Sequence, residues 1–207
     1  MVDRKYQQRG QRRRDQIVSV ANELLEHQDI ETLRLKDIAK AADIPLSSFY
    51  HFYPNMLTLL TDLTEKFSTQ LGEYIVERLA NVSALKWQQL VKEAISATSD
   101  FYKENYAYQQ LILTGKAPSQ IKQLDRQADS LLAVGLAKKL QQSYVLADIP
   151  NQAEIFFNAV EIVDLFLALD VQRENQITAK GEQEALRACL SYLRCYLPEY
   201  LMFKEQV

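Results

Sequence analysis

Few residues in this chain could carry covalent chemistry. Two histidines, His27 and His51, and two cysteines, Cys189 and Cys195, are all it has among 207 residues. Zinc sites gather about four such ligands at short, characteristic spacings, and these four residues show none. The two cysteines fall in one helical pattern, about 1.7 turns apart, so they face different sides of the helix and cannot bridge each other. No glycine-rich phosphate loop and no nucleophile elbow occurs. The sequence therefore predicts no enzyme activity, no metal and no cofactor, and it predicts free thiols of the kind found in a cytoplasmic protein.

Groups suited to non-covalent recognition are better organised. The first fourteen residues hold Arg4, Lys5, Arg9, Arg12, Arg13 and Arg14 against a single acid, Asp3, although the whole chain carries a net charge of −3. A basic N-terminal arm on an acidic body suits binding to a polyanion. Residues 33–53, which read LRLKDIAKAADIPLSSFYHFY, show a second pattern. A helix-turn-helix needs a small residue where its two short helices approach, and Ala39 supplies it. It also needs an apolar plug after the turn, which is Ile44. Phe49 and Phe52 then fix the inner face of the second helix, leaving its outer face toward a major groove.

The helices that must position these groups can be read from apolar spacing. Ile17, Val18, Ala21, Leu24 and Leu25 define one face of a helix over about 12–27. Short helices follow at about 35–41 and 46–51, separated by Asp43-Ile44-Pro45. Asn55 is a suitable N-cap for a helix over 56–79. Longer amphipathic patterns follow at about 84–104, 106–114, 118–144, 151–173 and 178–197. Pro118 and Pro150 stand where a first helical residue belongs, and Pro198 ends or kinks the last helix. With 5 Gly, 5 Pro and no convincing strand, the chain reads as all-α.

In combination, Arg14 before Ile17 and Ala21, then Asp37-Ile38-Ala39, then Ser48-Phe49-Tyr50-His51-Phe52, and Asn55 opening the next helix, make residues 12–62 resemble the DNA-binding domain of TetR/AcrR-type regulators. The resemblance implies a basic arm over 1–14, a three-helix DNA-binding domain over 12–57 and a helical bundle over 58–207 for effector binding and dimerisation. It implies a dimeric, sequence-specific transcriptional regulator, a repressor released from its double-stranded operator by a small apolar or aromatic ligand. By position it places Pro45 at the start of the recognition helix and Leu46, Ser47 and Ser48 at the bases. Tyr50 and His51 go to phosphates, and Thr32, Arg34 and Lys36 to the DNA backbone near the second helix. Arg12, Arg13 and Arg14 of the arm would reach phosphates or a minor groove.

Three positions depart from the family pattern. Asp43 stands where the turn usually has Gly, a change that a left-handed Asp tolerates. Pro45 replaces a capping Ser or Thr, and Met56 replaces a Lys that meets the DNA backbone. With no Arg or Lys on the recognition helix, methyl contacts to thymine are favoured over bidentate guanine readout.

For the second part, the resemblance implies a dimer through the last two long helices, and the sequence permits it, with Phe156, Ile162, Phe166, Leu186, Leu190 and Leu193 on their apolar stripes. The resemblance also implies an effector pocket, for which Trp87, Phe101, Tyr102, Tyr106, Tyr108 and Phe157 are the candidates, with Tyr74, Tyr144, Phe156 and Phe166 as further aromatics. Glu161 and Asp164 are the carboxylates positioned to meet a cation. The other classes open to such a chain are a helical adaptor, a membrane-surface protein and a ligand-independent DNA-binding factor. Asp15, Glu23 and Glu26 on the polar side of the first helix repel an anionic membrane, and no run of about 18 apolar residues or signal-peptide core occurs.

Overall fold

The first helix, α1, runs over Val2–Leu25 and puts Ile17, Val18, Ala21 and Leu25 on one buried face, the i, i+4, i+8 repeat of an amphipathic helix. In this computed structural model, residues 2–80, 82 and 86–204 are described, with side chains from Gln8 onward. The basic segment is not a separate arm, because it forms the first turns of α1. A 3₁₀ turn over Ile30–Thr32 follows, then α2 (Leu35–Ala41), α3 (Leu46–Phe52) and α4 (Met56–Ala80). The remaining helices are α5 (Trp87–Glu104), α6 (Tyr106–Ile112), α7 (Ser119–Ser143), α8 (Gln152–Glu174) and α9 (Ala179–Leu193). Among the described residues the only β pairing is an isolated antiparallel bridge between Tyr144 and Phe203.

Several sequence signals act as read. Asn55 caps α4, its side-chain oxygen accepting from the Thr58 amide at 3.0 Å and the Thr58 hydroxyl at 3.1 Å. The prolines stand outside the helices they precede, not at the first helical position. Pro118 lends its carbonyl to the Ile121 amide at 2.9 Å and α7 begins at Ser119. Pro150 stands before Asn151, a left-handed residue (φ 56°) that leads into α8. The last helix ends at Leu193, short of Pro198.

The chain divides into two units. Residues 1–67 and 105–124 make the first, and residues 68–104 and 125–207 the second. The first unit is therefore larger than the 12–57 domain expected from sequence, because α6 and the start of α7 join it. Gln110 is the physical reason. It is buried, its amide nitrogen donates to the carbonyls of Leu25 (2.6 Å) and Gln28 (2.9 Å), and its side-chain oxygen accepts from the Ile30 amide (2.9 Å). Glu26 adds a bond from the Ala107 amide at 3.0 Å, and Phe67 stacks on Tyr108 with centroids 5.1 Å apart. The backbone groups where α1 ends and the 3₁₀ turn starts have no helical partners, so α6 supplies them.

In the second unit α8 and α9 pack side by side. Thr178 caps α9, accepting from the Gly181 amide at 3.0 Å, and Asp170 of α8 accepts from the Thr178 amide at 2.6 Å. Gly181 is required there, because a Cβ would lie 2.0 Å from Asp170 Oδ2 and 2.6 Å from its Cβ. The indole of Trp87 donates to the Pro198 carbonyl at 2.9 Å and ties the C-terminal segment to α5.

Replacing Gln110 by Leu keeps the volume and removes all three bonds, leaving buried backbone groups without partners. We expect a loss of about 2–4 kcal/mol in urea unfolding. A loss under about 0.5 kcal/mol would show that these bonds contribute nothing in solution.

Candidate nucleic-acid interface

Two seven-residue helices, α2 and α3, form the centre of the candidate interface. The turn between them is a Schellman closure. The Ile44 amide donates to Ala39 O at 3.0 Å and the Asp43 amide to Lys40 O at 3.2 Å, with Asp43 in the left-handed region at φ 52°. Gln16 of α1 donates to the Ala42 carbonyl at 2.9 Å and holds the turn from beneath. Ile38, Ala39, Ile44 and Phe49 are buried, the roles their spacing predicted. Phe52 is only half-buried, and the second fully buried aromatic is Tyr53, one residue later. Its ring lies 6.0 Å from that of Phe49.

The sequence reading missed Tyr53. Its hydroxyl donates to Asp62 on α4 at 2.8 Å, and Arg14 on α1 approaches the same carboxylate oxygen at 3.8 Å. Burial, reinforced by the bond to Asp62, pushes the phenol well above its ordinary pKa, so it stays a donor. One carboxylate thus joins α1, the end of α3 and α4. An aromatic residue directly before Pro54, at a helix end, was the available signal.

With its inner face fixed, α3 presents the other face to solvent. Pro45, Ser47 and His51 are exposed, Leu46 is 42% and Tyr50 47% exposed, and Ser48 is half-buried. The Pro45 carbonyl accepts from the Phe49 amide at 2.9 Å, so Pro45 starts the helix without a side-chain cap. Leu46 and Tyr50 also wall a shallow groove of about 590 Å³ shared with Arg34, Lys36, Met56 and Lys116. The cations absent from α3 therefore stand around it. Lys116, which sequence reading did not single out, pairs with Asp29, and the pair lowers the Asp29 carboxyl pKa and raises that of the lysine. Arg34 is turned back onto the carbonyls of Glu31 (2.7 Å) and Leu33 (3.0 Å), and the Thr32 hydroxyl donates to Asp29 O at 2.7 Å. Arg12, Arg13 and Arg14 are exposed on α1, while Arg4 and Lys5 fall outside the described side chains.

The second unit holds a cavity of about 810 Å³, and its lining differs from the aromatic set expected for an effector pocket. Of the eight residues assigned to ligand binding, Asp164 alone lines it. Trp87, Phe101 and Tyr102 are buried core, with Phe101 packed 5.8 Å from Tyr74. Tyr106 and Tyr108 belong to the first unit. Phe157 is half-buried away from the cavity, and Glu161 is engaged by Arg126 at 3.1 Å. The walls are aliphatic, with Leu71, Ile75, Leu79, Val91, Ile95 and Val163 among them. Cys189 also lines the cavity, and burial pushes its thiol up to about 12, so it is inert, whereas Cys195 is exposed. The expected dimer residues also divide. Phe156 and Leu193 are wholly buried within the chain and have no surface to offer a partner, whereas Ile162, Phe166, Leu186 and Leu190 are half-buried.

No protein-family profile matches the sequence, and no curated protein matches it. Solved structures do match. A TetR-family transcriptional regulator from Streptomyces coelicolor aligns over 89% of this chain and 99% of its own, with a TM-score of 0.71 at 20% identity. A TetR transcriptional regulator from Rhodococcus sp. RHA1 aligns over 88% and 97%, with a TM-score of 0.64 at 15% identity. RolR, solved in complex with resorcinol, aligns over 91% and 89%, with a TM-score of 0.62 at 12% identity. The chain has the fold of TetR-family transcriptional regulators, with an N-terminal helix-turn-helix and a helical C-terminal part. No helix among the described residues is long and apolar enough to cross a membrane.

Since Asp43 occupies a left-handed position, Asp43→Gly should stabilise the protein by about 0.5–1 kcal/mol, and Asp43→Val should destabilise it by more than that. Thermal unfolding of the two variants checks both signs.

Proposed function

We propose that this chain is a sequence-specific DNA-binding transcriptional regulator that acts as a homodimer and is released from its operator by a small, largely apolar ligand. The observation that carries the reading is α3, which is anchored by Phe49 and Tyr53 and exposes Leu46, Ser47, Tyr50 and His51. A helix fixed on one face and polar on the other is the geometry for major-groove entry. Leu46 would meet a thymine methyl and Ser47 and Ser48 base edges. Tyr50 and His51, with Thr32, Arg34, Lys36 and the α1 arginines, would meet phosphates.

Reading DNA through one short helix gives little affinity, and two half-sites spaced about 34–36 Å apart require two copies. The half-buried apolar residues Ile162 and Phe166 on α8, and Leu186 and Leu190 on α9, are the surface we assign to the partner copy, together with the exposed Leu165 of α8. Replacing Leu186 and Leu190 together by Glu should leave a folded monomer, read by light scattering and circular dichroism. A monomeric wild-type protein at micromolar concentration would refute the dimer.

Release follows from linkage. A ligand lowers operator affinity only if it binds the conformation that does not fit the operator more tightly than the one that does. The function itself is tested by selecting bound fragments from a genomic library. Enrichment of an inverted repeat supports it, and recovery of no preferred sequence would sink it. Replacing Arg12, Arg13 and Arg14 by Ala should weaken binding to the selected site and reduce the slope of log K against log salt by up to about 3. An unchanged slope would remove α1 from the interface.

A further inference from the structure

Lys116 is held in place by the turn that follows α6. The Thr114 hydroxyl donates to the Gln110 carbonyl at 2.6 Å and accepts from the Lys116 amide at 3.3 Å. Gly115, between them, sits at φ 73°, a left-handed position that glycine takes without strain. Gln110 is itself bonded to the end of α1, so the turn is fixed within the first unit. It brings Lys116 and Pro118 to the groove of about 590 Å³ that is also lined by Lys36 of α2, Leu46 and Tyr50 of α3 and Met56 of α4.

The charges on this groove are of one sign. Arg34, Lys36 and Lys116 line it, and among the described residues no acid does. Beside Lys116 stands Asp29, whose two oxygens are both engaged, Oδ1 by the Glu31 amide at 2.9 Å and Oδ2 by the Lys116 ammonium. An ammonium has three protons. Asp29 takes one, and the others remain for a second acceptor on a side chain that is 39% exposed. The bond to Asp29 also restrains a long flexible side chain, so less rotamer freedom is lost when the second acceptor arrives. Glu31, exposed on the 3₁₀ turn, adds negative charge near the lysine. Lys116 is the cation that keeps this edge of the groove from repelling a polyanion.

We propose that Lys116 is a DNA contact supplied from outside the helix-turn-helix, its ammonium, steadied by Asp29, binding a phosphate of a strand that flanks α3. This rests on the DNA-binding reading above and adds to it a residue of the α6–α7 connection. Side chains of α3 reach base edges only when the helix lies in a major groove about 12 Å wide. The two phosphate strands then pass on either side of the helix. The groove that Leu46 and Tyr50 share with Lys116 receives one of them. A lysine meets a phosphate as a compact point charge and reads no base. Its effect therefore falls on affinity and salt dependence, and not on which sequence is preferred.

The test measures binding of the full-length protein to its selected duplex between about 50 and 200 mM salt. Lys116→Gln should lower the slope of log K against log salt by about 1 and weaken binding to the selected site and to a random duplex by a similar factor. Lys116→Arg should keep the slope. Asp29→Asn can still cap the 3₁₀ turn, breaks the same ion pair and leaves the lysine charge, so it should keep the slope too. A wild-type slope in Lys116→Gln, or an equal drop in Asp29→Asn, would overturn the proposal and leave the pair a structural one. In the wild type, where folding is not in question, bound duplex should shield Lys116 from reductive methylation and leave Lys180, exposed on α9, reactive. Methylation of Lys116 as fast with the duplex as without it would also overturn the proposal. If the wild type prefers no sequence, the regulator reading fails and the same slopes are read on a random duplex. A chain that binds no duplex overturns both.

Discussion

A helix of seven residues cannot hold its own shape in water. Nucleation fixes several dihedral angles for the first hydrogen bond, and isolated helices shorter than about 12–15 residues are marginal. Both α2 and α3 are of this length, so the surface they present depends on what lies beneath them. Ile38, Ala39, Ile44, Phe49 and Tyr53 are that foundation. Their burial sets the rotation of α3 about its axis, and the rotation decides which side chains reach solvent. The candidate interface is thus a consequence of core packing.

Polar bonds then make the packing specific. Apolar residues of suitable size would bury α3 at many angles. The Schellman closure at Asp43 and Ile44 fixes where α2 stops, and Tyr53 to Asp62 fixes where α3 stops. Gln110 does the same for the turn after α1, satisfying three backbone groups from a helix about 80 residues away in sequence. Each bond is worth little in net terms, but leaving its buried partner unsatisfied costs more. This asymmetry makes alternative packings poor.

In the second unit polar groups also stand at a cavity. Asp129 and Asp164 line a mainly aliphatic cavity. Polar groups placed at a mainly apolar cavity discriminate among ligands, whereas the walls supply affinity with little preference. The aromatic residues that the sequence offers for an effector pocket do not line this cavity. They are large and apolar and gain most from complete burial, as Trp87 and Phe101 do.

Much of the first unit was legible in the sequence. Periodicity marked α1, the small and apolar residues at 38, 39, 44 and 49 defined the helix-turn-helix, and Asn55 announced α4. These features are local, set by neighbours within a few turns. What the sequence left open depended on contacts between distant segments. The move of α6 into the first unit rests on Gln110, and the identity of the second aromatic anchor rests on Tyr53 meeting Asp62. The cavity lining, and the loss of Phe156 and Leu193 from the exposed apolar stripe, depend on which faces the helices turn to one another. An amphipathic pattern shows that a face is covered. Only the packed chain decides whether its own helices cover it or whether part is left for another molecule.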